Sequence, residues 1–161
     1  MRVLGIDPGT GRLGWALVEG NRAKQTLLVC GCFETKVNGV AAKRLAEISY
    51  FIEELVEKYK PDEAAVEDLF FFKNAKTVIR VSESRGVVVA GIARQSIPVF
   101  DYTPLQVKQT VTGYGRAEKA QVQKMMKAIL HLETVPKPDD AADAVAVGVT
   151  HLLFNRQLTE R

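Results

Sequence analysis

Acidic residues at the ends of apolar segments are the side chains of this chain best suited to chemistry. Asp7 ends one short apolar run and stands before the turn Pro8-Gly9-Thr10-Gly11, and Glu67 ends another. A third group of acids, Asp139-Asp140-Ala141-Ala142-Asp143, opens the last apolar segment. Carboxylate oxygens are the ligands that Mg²⁺ prefers in proteins. The pattern therefore predicts a divalent-metal site assembled from distant parts of the chain.

The spacing within the third acidic group does not determine whether Asp139 or Asp140 acts together with Asp143. Residues three or four apart share a helix face, so Asp143 points the same way as either Asp140 or Asp139. Asp143 lies in an otherwise apolar stretch, where an unpaired carboxylate is costly. Taken singly, the other acids have plainer interpretations: helix caps for Asp139 and Asp140, a turn residue for Asp7, and a solvated strand end for Glu67. Taken together, they would repel one another unless a cation lay between them.

The elements that must position these acids can be read from the apolar runs and turns. Strands are predicted over residues 3–7, 13–19, 25–33, 63–67 and 98–102, and helices over 41–60, 76–95, 104–112, 119–132 and 139–154. Short turns join the first three strands into an antiparallel meander, and a helical crossover makes the last two parallel. The predicted class is α/β, a mixed sheet flanked by helices. In such sheets functional groups gather at the carboxyl ends of strands, where Asp7 and Glu67 fall.

Composition limits the class of protein. The chain has 161 residues, 47% hydrophobic and 25% charged, which predicts one domain over residues 1–161 with the last few residues as a flexible tail. No apolar run reaches the roughly 18 residues of a membrane span. Asp7 interrupts the segment in which a signal peptide would need to be apolar. We therefore expect a cytoplasmic protein with no membrane partner, and the net charge of +3 permits nucleic-acid binding.

Several short motifs occur in a fixed order along the whole chain. They are Gly5-Ile6-Asp7-Pro8-Gly9-Thr10 with Gly14, Val66-Glu67, Phe70 with Lys73-Asn74, the stretch 104–109, the loop 113–119, Asp140-Ala141-Ala142-Asp143-Ala144, and Ala146 with Thr150-His151. This ordered set resembles the RuvC family of Holliday-junction resolvases. The resemblance implies an RNase H-like fold, a homodimer, and Mg²⁺-dependent cutting of four-way DNA junctions by paired symmetric nicks during recombination and DNA repair. It also implies a branch-migration complex of the RuvA and RuvB type as a partner.

The resemblance also assigns the acids. By position, the catalytic and metal-binding residues are Asp7, Glu67, Asp140 and Asp143, which selects Asp140 over Asp139. Two Mg²⁺ ions are expected in each active site, with Mn²⁺ as a substitute, because ions about 4 Å apart suit phosphodiester hydrolysis.

Basic and aromatic residues complete the expected DNA-binding set. Lys108 and Lys119 match the basic positions that the family places near the scissile phosphate. Phe70 matches a family position where an aromatic ring would stack on bases unpaired at the crossover, and Lys73 follows it. Such stacking contributes about 1–3 kcal/mol per base. Asp68, beside Glu67, should point to the opposite face if the strand continues.

The sequence around each motif disfavours three other functions. The spacing Gly9-x-Gly11-x-x-Gly14 matches a dinucleotide-binding motif, but that motif must open a helix and here a strand follows. A related RNase H-like family proposed to process ribosomal RNA precursors shares the first strand, yet the Phe70 motif and Asp140-x-x-Asp143 favour the resolvase. A non-catalytic junction-binding module would keep the lysines without needing four placed acids.

Overall fold

One mixed sheet organises the computed structural model, which describes residues 1–36, 40–69 and 75–154. Its strands are β1 Arg2–Asp7, β2 Arg12–Gly20, β3 Gln25–Glu34, β4 Glu63–Glu67 and β5 Val99–Tyr102. Its helices are α1 Ala41–Tyr59, α2 Ala75–Ala93, α3 Pro104–Thr112, α4 Lys119–Ile129 and α5 Asp139–Leu153. The predicted elements are confirmed in number, type and order. They differ from the observed ones only at their ends.

The strand order is β3-β2-β1-β4-β5. β2 pairs antiparallel with both β1 and β3, whereas β4 pairs parallel with both β1 and β5. This confirms the predicted meander followed by parallel strands. The first and fourth strands therefore lie side by side and run in the same direction. Their carboxyl ends meet at one edge of the sheet.

The core lies on both faces of the sheet because the side chains of β1 alternate. Leu4 and Ile6 belong to the apolar layer under α1 and α2, while Val3 belongs to the layer under α5. Nearly every residue of α5 from Ala141 to Leu152 is buried, with Asp143 as the exception. A buried helix of this kind is held against the sheet on most of its surface.

Helix α5 lies unusually close to the sheet. A Cβ added to Gly5 of β1 would stand 2.2 Å from the backbone oxygen of Ala144, and one added to Gly148 would stand 2.9 Å from Val18. Real side chains are never this close, so both positions require glycine for the two backbones to approach. These glycine contacts set the short distance between the backbone of α5 and the backbone of β1.

Two of the sequence predictions lie outside the described residues. Phe70 and Lys73 fall in the segment 70–74, and the expected tail falls in 155–161. The single domain over residues 1–161 stays a prediction. Within the ranges that the structure describes, no helix is long and apolar enough to cross a membrane.

Candidate active site

Asp7 and Glu67 come together at the carboxyl edge of the sheet. Ile6 of β1 pairs with Val66 of β4 in parallel register, so the next residues of the two strands, Asp7 and Glu67, are neighbours on the α5 face. Their carboxyl groups interact directly, since the charge of Asp7 is the second-largest cause that raises the pKa of Glu67.

Burial and mutual repulsion raise the pKa of both carboxyl groups. The pKa of Glu67 rises to about 8, first because burial disfavours its charged form and then because Asp7 and Asp143 are negative. The pKa of Asp7 rises to about 6, again by burial first and by Asp143 second. Burial is also the largest cause that raises the pKa of Asp143. The three acids thus form one electrostatically coupled cluster.

Gly14 determines where the first turn of α5 lies. It is the β2 partner of Asp7 in the antiparallel ladder. A Cβ at Gly14 would be 1.9 Å from the backbone oxygen of Asp140. The absence of a side chain there lets α5 begin directly over the Asp7 end of β1, which brings Asp143 to the other two acids.

The structure separates Asp140 from Asp139. The carboxylate of Asp140 lies 3.7 Å from Arg12 and 4.0 Å from the Cys32 thiol, and its charge contributes to the raised pKa of Asp7. Asp139 is 70% exposed at its side chain and lies 3.4 Å from Lys119. Asp140 therefore faces the cluster from the β2 and β3 side, whereas Asp139 lies at its outer rim.

Lys119 forms the closest ion pair of the site. Its Nζ lies 2.7 Å from Asp143 Oδ2 and bridges to Asp139. One half of a capping box begins α4 at this lysine, where the side-chain oxygen of Gln121 accepts from the backbone N–H of Glu118. The cap fixes the helix start, and so the cation is held beside the acids.

A cavity of about 230 Å³ opens at this edge of the sheet. Its lining residues are Glu67, Pro104, Val107, Lys108, Lys119, Val122, Asp143 and Ala146. Lys108 comes from α3, whose start is fixed by a second capping box between Thr103 and Gln106. The cavity thus presents two acids and two lysines on otherwise apolar walls, a surface that suits an anionic substrate beside a cation.

The donor set fits a hard divalent cation in its chemistry. The ligands on offer are carboxylate oxygens. Burial first and mutual repulsion second raise the pKa values of Asp7 and Glu67, and a cation between these carboxylates would offset both effects. Across residues 1–36, 40–69 and 75–154, however, no three His, Cys, Asp or Glu side chains stand in a closed metal-binding arrangement. A cation at this site would compete with Lys119 for Asp143.

Two neighbours of the acids are missed by sequence reasoning. Arg12 reaches Asp140 from the start of β2, and Cys32 reaches it from β3. Both are placed by the registers of the meander, in which Gly14 pairs with Cys32. The only sequence signal for the role of Arg12 is that a basic residue follows the turn after Asp7. β4 ends at Glu67, so the condition for the expected orientation of Asp68 is not met; its carboxylate lies 3.6 Å from Arg85 of α2.

Comparison with known proteins gives a consistent picture. The family model described as crossover junction endodeoxyribonuclease RuvC matches residues 3–151. A protein named crossover junction endodeoxyribonuclease RuvC from Petrotoga mobilis is 48% identical over 156 residues, covering 97% of this chain and 96% of the relative.

Solved structures agree with the sequence comparison. The structure of Thermus thermophilus RuvC in complex with a Holliday junction substrate has a TM-score of 0.93 and 34% identity, covering 99% of this chain and 97% of that chain. The yeast mitochondrial Holliday junction resolvase Ydc2 has a TM-score of 0.72 at 16% identity, covering 98% and 80%, and shows the fold alone. These likenesses confirm the expected RNase H-like fold.

Proposed function

The chain belongs to the RuvC family of crossover junction endodeoxyribonucleases, and from this premise we propose that it resolves Holliday junctions in recombination and DNA repair. It is an endonuclease that hydrolyses phosphodiester bonds. The observation that carries the proposal is the family match over residues 3–151 together with a cluster of half-buried acids beside a lysine-lined cavity.

The proposed catalytic and metal-binding residues are Asp7, Glu67, Asp140 and Asp143. They would hold Mg²⁺, two ions in each active site, with Mn²⁺ as a substitute. When bound, the metal supplies a Lewis acid that activates water and stabilises negative charge on the phosphate. The raised pKa values of Asp7 and Glu67 support this role, because burial and neighbouring negative charges disfavour their ionised forms and a bound cation would stabilise those forms.

The lysines are proposed to act on the substrate. Lys108 and Lys119 line the same cavity as Glu67 and Asp143, where they would contact the phosphates of the cut strand. In the hydrolysis a water oxygen forms a new bond to phosphorus in line with the P–O3′ bond that breaks. The lysines would orient the phosphate for that attack and offset the charge that develops on it.

Symmetric cutting calls for a second copy of the active site. Two nicks related by the two-fold axis of a junction need two related sites, so we propose a homodimer. Phe70 and Lys73 are proposed to contact the DNA near the crossover. A branch-migration complex of the RuvA and RuvB type is the proposed protein partner, and the cytoplasm is the proposed location.

A nicking assay on a synthetic four-way DNA junction tests the function. Duplex DNA and structured RNA run beside it, each with Mg²⁺ or with EDTA, for the wild type and Asp7→Asn. We expect paired Mg²⁺-dependent cuts on the junction alone, lost in Asp7→Asn with junction binding retained. Binding without cutting under any divalent metal would indicate the non-catalytic module instead. Cutting of RNA but not of the junction would favour the relative that processes ribosomal RNA precursors.

A further inference from the structure

His151, near the end of α5, is only 2% exposed and forms hydrogen bonds at both ring nitrogens. Its Nδ1 lies 2.8 Å from the Tyr102 hydroxyl, and its Nε2 lies 2.5 Å from Glu63 Oε2. Glu63 begins β4 and Tyr102 ends β5. A single buried side chain thus ties α5 to two strands, although the proposed chemistry uses none of the three residues.

The direction of the two bonds follows from the protonation states. Burial raises the pKa of Tyr102 to about 12, so its hydroxyl keeps its proton and donates to Nδ1. Burial also lowers the pKa of His151 to about 4, so the ring is neutral. The proton of the neutral ring is then on Nε2, which donates to the Glu63 carboxylate. Every polar atom of the ring is satisfied by one defined tautomer.

The three residues stand in register with the proposed active site. Glu63 and Glu67 begin and end β4, four residues apart on one face, which is about 13 Å at the usual strand rise. Asp143 and His151 are eight residues apart on one face of α5, about 12 Å at the usual helical rise. A slip of α5 along its axis that broke the contact of His151 with Glu63 would therefore also displace Asp143 from Glu67.

The glycine contacts at Gly5 and Gly14 set how closely α5 approaches the sheet, and the bonds of His151 add directional contacts at the far end of the helix. Small residues line much of the buried surface of the helix: Ala141, Ala142, Ala144, Ala146 and Gly148. Apolar contact between small side chains is non-directional, so it sets depth better than it sets position along the helix axis. Hydrogen bonds are directional, and a fully satisfied buried network favours one arrangement over its neighbours.

We propose that the buried chain Glu63–His151–Tyr102 is a positioning device that fixes the register of α5 on β4 and so holds Asp143 opposite Glu67. The three are positioning residues, since they act through the acids and touch no reacting atom. Tyr102 is the β5 partner of Glu67, so His151 is tied to residues level with both ends of β4. The inference rests on the proposed function of the acid cluster.

Steady-state cutting of the four-way junction by Glu63→Ala, Glu63→Gln and Tyr102→Phe tests the proposal, at a temperature where each variant is fully folded. Misplacement by about 1 Å can cost on the order of 10²-fold in rate. We therefore expect Glu63→Ala to lower kcat by about 10- to 100-fold, with KM changed by less than about threefold. The amide oxygen of Glu63→Gln still accepts from Nε2, so this variant should recover most of the lost kcat.

The matched control is Ile52→Val on the opposite face of the sheet, where Ile52 is fully buried. It removes stability without touching α5, and its kcat should equal that of the wild type. An equal kcat for Glu63→Ala and Ile52→Val would overturn the proposal while leaving the function intact. A wild type that never cuts the junction would instead refute the proposed function.

A spectroscopic measurement tests the hydrogen-bonded chain without any activity. The chain has two histidines, so His131→Gln assigns the ring ¹⁵N signals of His151 by difference. We expect a neutral ring with an unprotonated Nδ1 and a protonated Nε2, and a shift of the Nδ1 signal in Tyr102→Phe. A doubly protonated ring at neutral pH, or no response to Tyr102→Phe, would contradict the proposed chain.

Discussion

The backbone oxygen of Asp140 occupies the space in which a side chain at Gly14 would begin. A Cβ there would be 1.9 Å from that oxygen. Since Gly14 is also the ladder partner of Asp7, the same position joins the end of β1 to the first turn of α5. One missing side chain therefore lets two of the proposed catalytic acids share a site.

The first prediction concerns this contact. Gly14→Ala must push α5 away from the sheet, which overpacks the site and should destabilise the fold by about 1–3 kcal/mol. Junction cutting should fall by at least about tenfold even where the variant is folded, because Asp140 and Asp143 move with the helix. Urea unfolding and the nicking assay measure the two effects. Gly11→Ala is the control, since a Cβ at Gly11 meets nothing within 4 Å; equal effects of both substitutions would contradict the argument.

The second prediction concerns the proton on Glu67. Its folded pKa of about 8 lies above its ordinary value of 4.5, so between these values the folded state binds more protons than the unfolded state. The stability of the metal-free protein should therefore fall as pH rises through this window. Glu67→Gln removes the penalty and should raise the unfolding free energy in EDTA at pH 8 by roughly 1–3 kcal/mol.

Thermal unfolding in EDTA across that pH range measures the difference between the two proteins. The gap should close as the pH falls below about 4.5, where the unfolded state of the wild type also comes to hold the proton. Mg²⁺ should raise the melting temperature of the wild type more than that of Glu67→Gln. If Glu67→Gln is less stable than the wild type at pH 8, the ionised Glu67 side chain does not destabilise the folded state.

The third prediction distinguishes the neighbouring acids at the start of α5. Asp140 raises the pKa of Asp7, whereas Asp139 is largely exposed and contacts Lys119. Asp140→Asn should lower the rate of junction cutting by about 10²-fold or more, a typical size for the loss of one electrostatic contact in a reaction site. Asp139→Asn should stay within a few-fold of the wild type. The reverse order in the nicking assay would refute the assignment.

The fourth prediction concerns Lys119. It is the cation that lies 2.7 Å from Asp143 and lines the cavity. Lys119→Gln should lower kcat for the junction by about 10²-fold through the loss of a charge near the phosphate. Lys124→Gln, an exposed lysine farther along α4, supplies a control of identical chemistry. Similar losses in both variants would mean that Lys119 acts only by adding to the overall positive charge.

Much of the fold was predictable because its signals are local. Apolar runs that end at Gly and Asn turns mark the strands, and helical spacing of apolar residues marks α1. The placement of Asp7 and Glu67 at one edge follows from two predicted parallel strands, whose carboxyl ends must lie together. These conclusions need only the periodicity of each element and the rule that joins them.

The remaining features depend on register between distant segments. The spacing of the acids leaves Asp139 and Asp140 equivalent, and in the structure their different contacts, with Arg12 for Asp140 and with Lys119 for Asp139, separate them. The approach of Arg12 to Asp140 depends on how β2 lies under that helix. The bond between His151 and Glu63 joins residues 88 positions apart, and neither residue alone signals the other.

The acids that form the cluster are contributed by the first strand, the fourth strand and the last helix of the chain. During synthesis the ribosome releases Asp7 and Glu67 well before it makes Asp140 and Asp143. A nascent chain that has not reached α5 lacks two of the four proposed metal-binding acids and the helix that covers β1. We therefore expect the acid cluster to be completed only late in the synthesis of the chain.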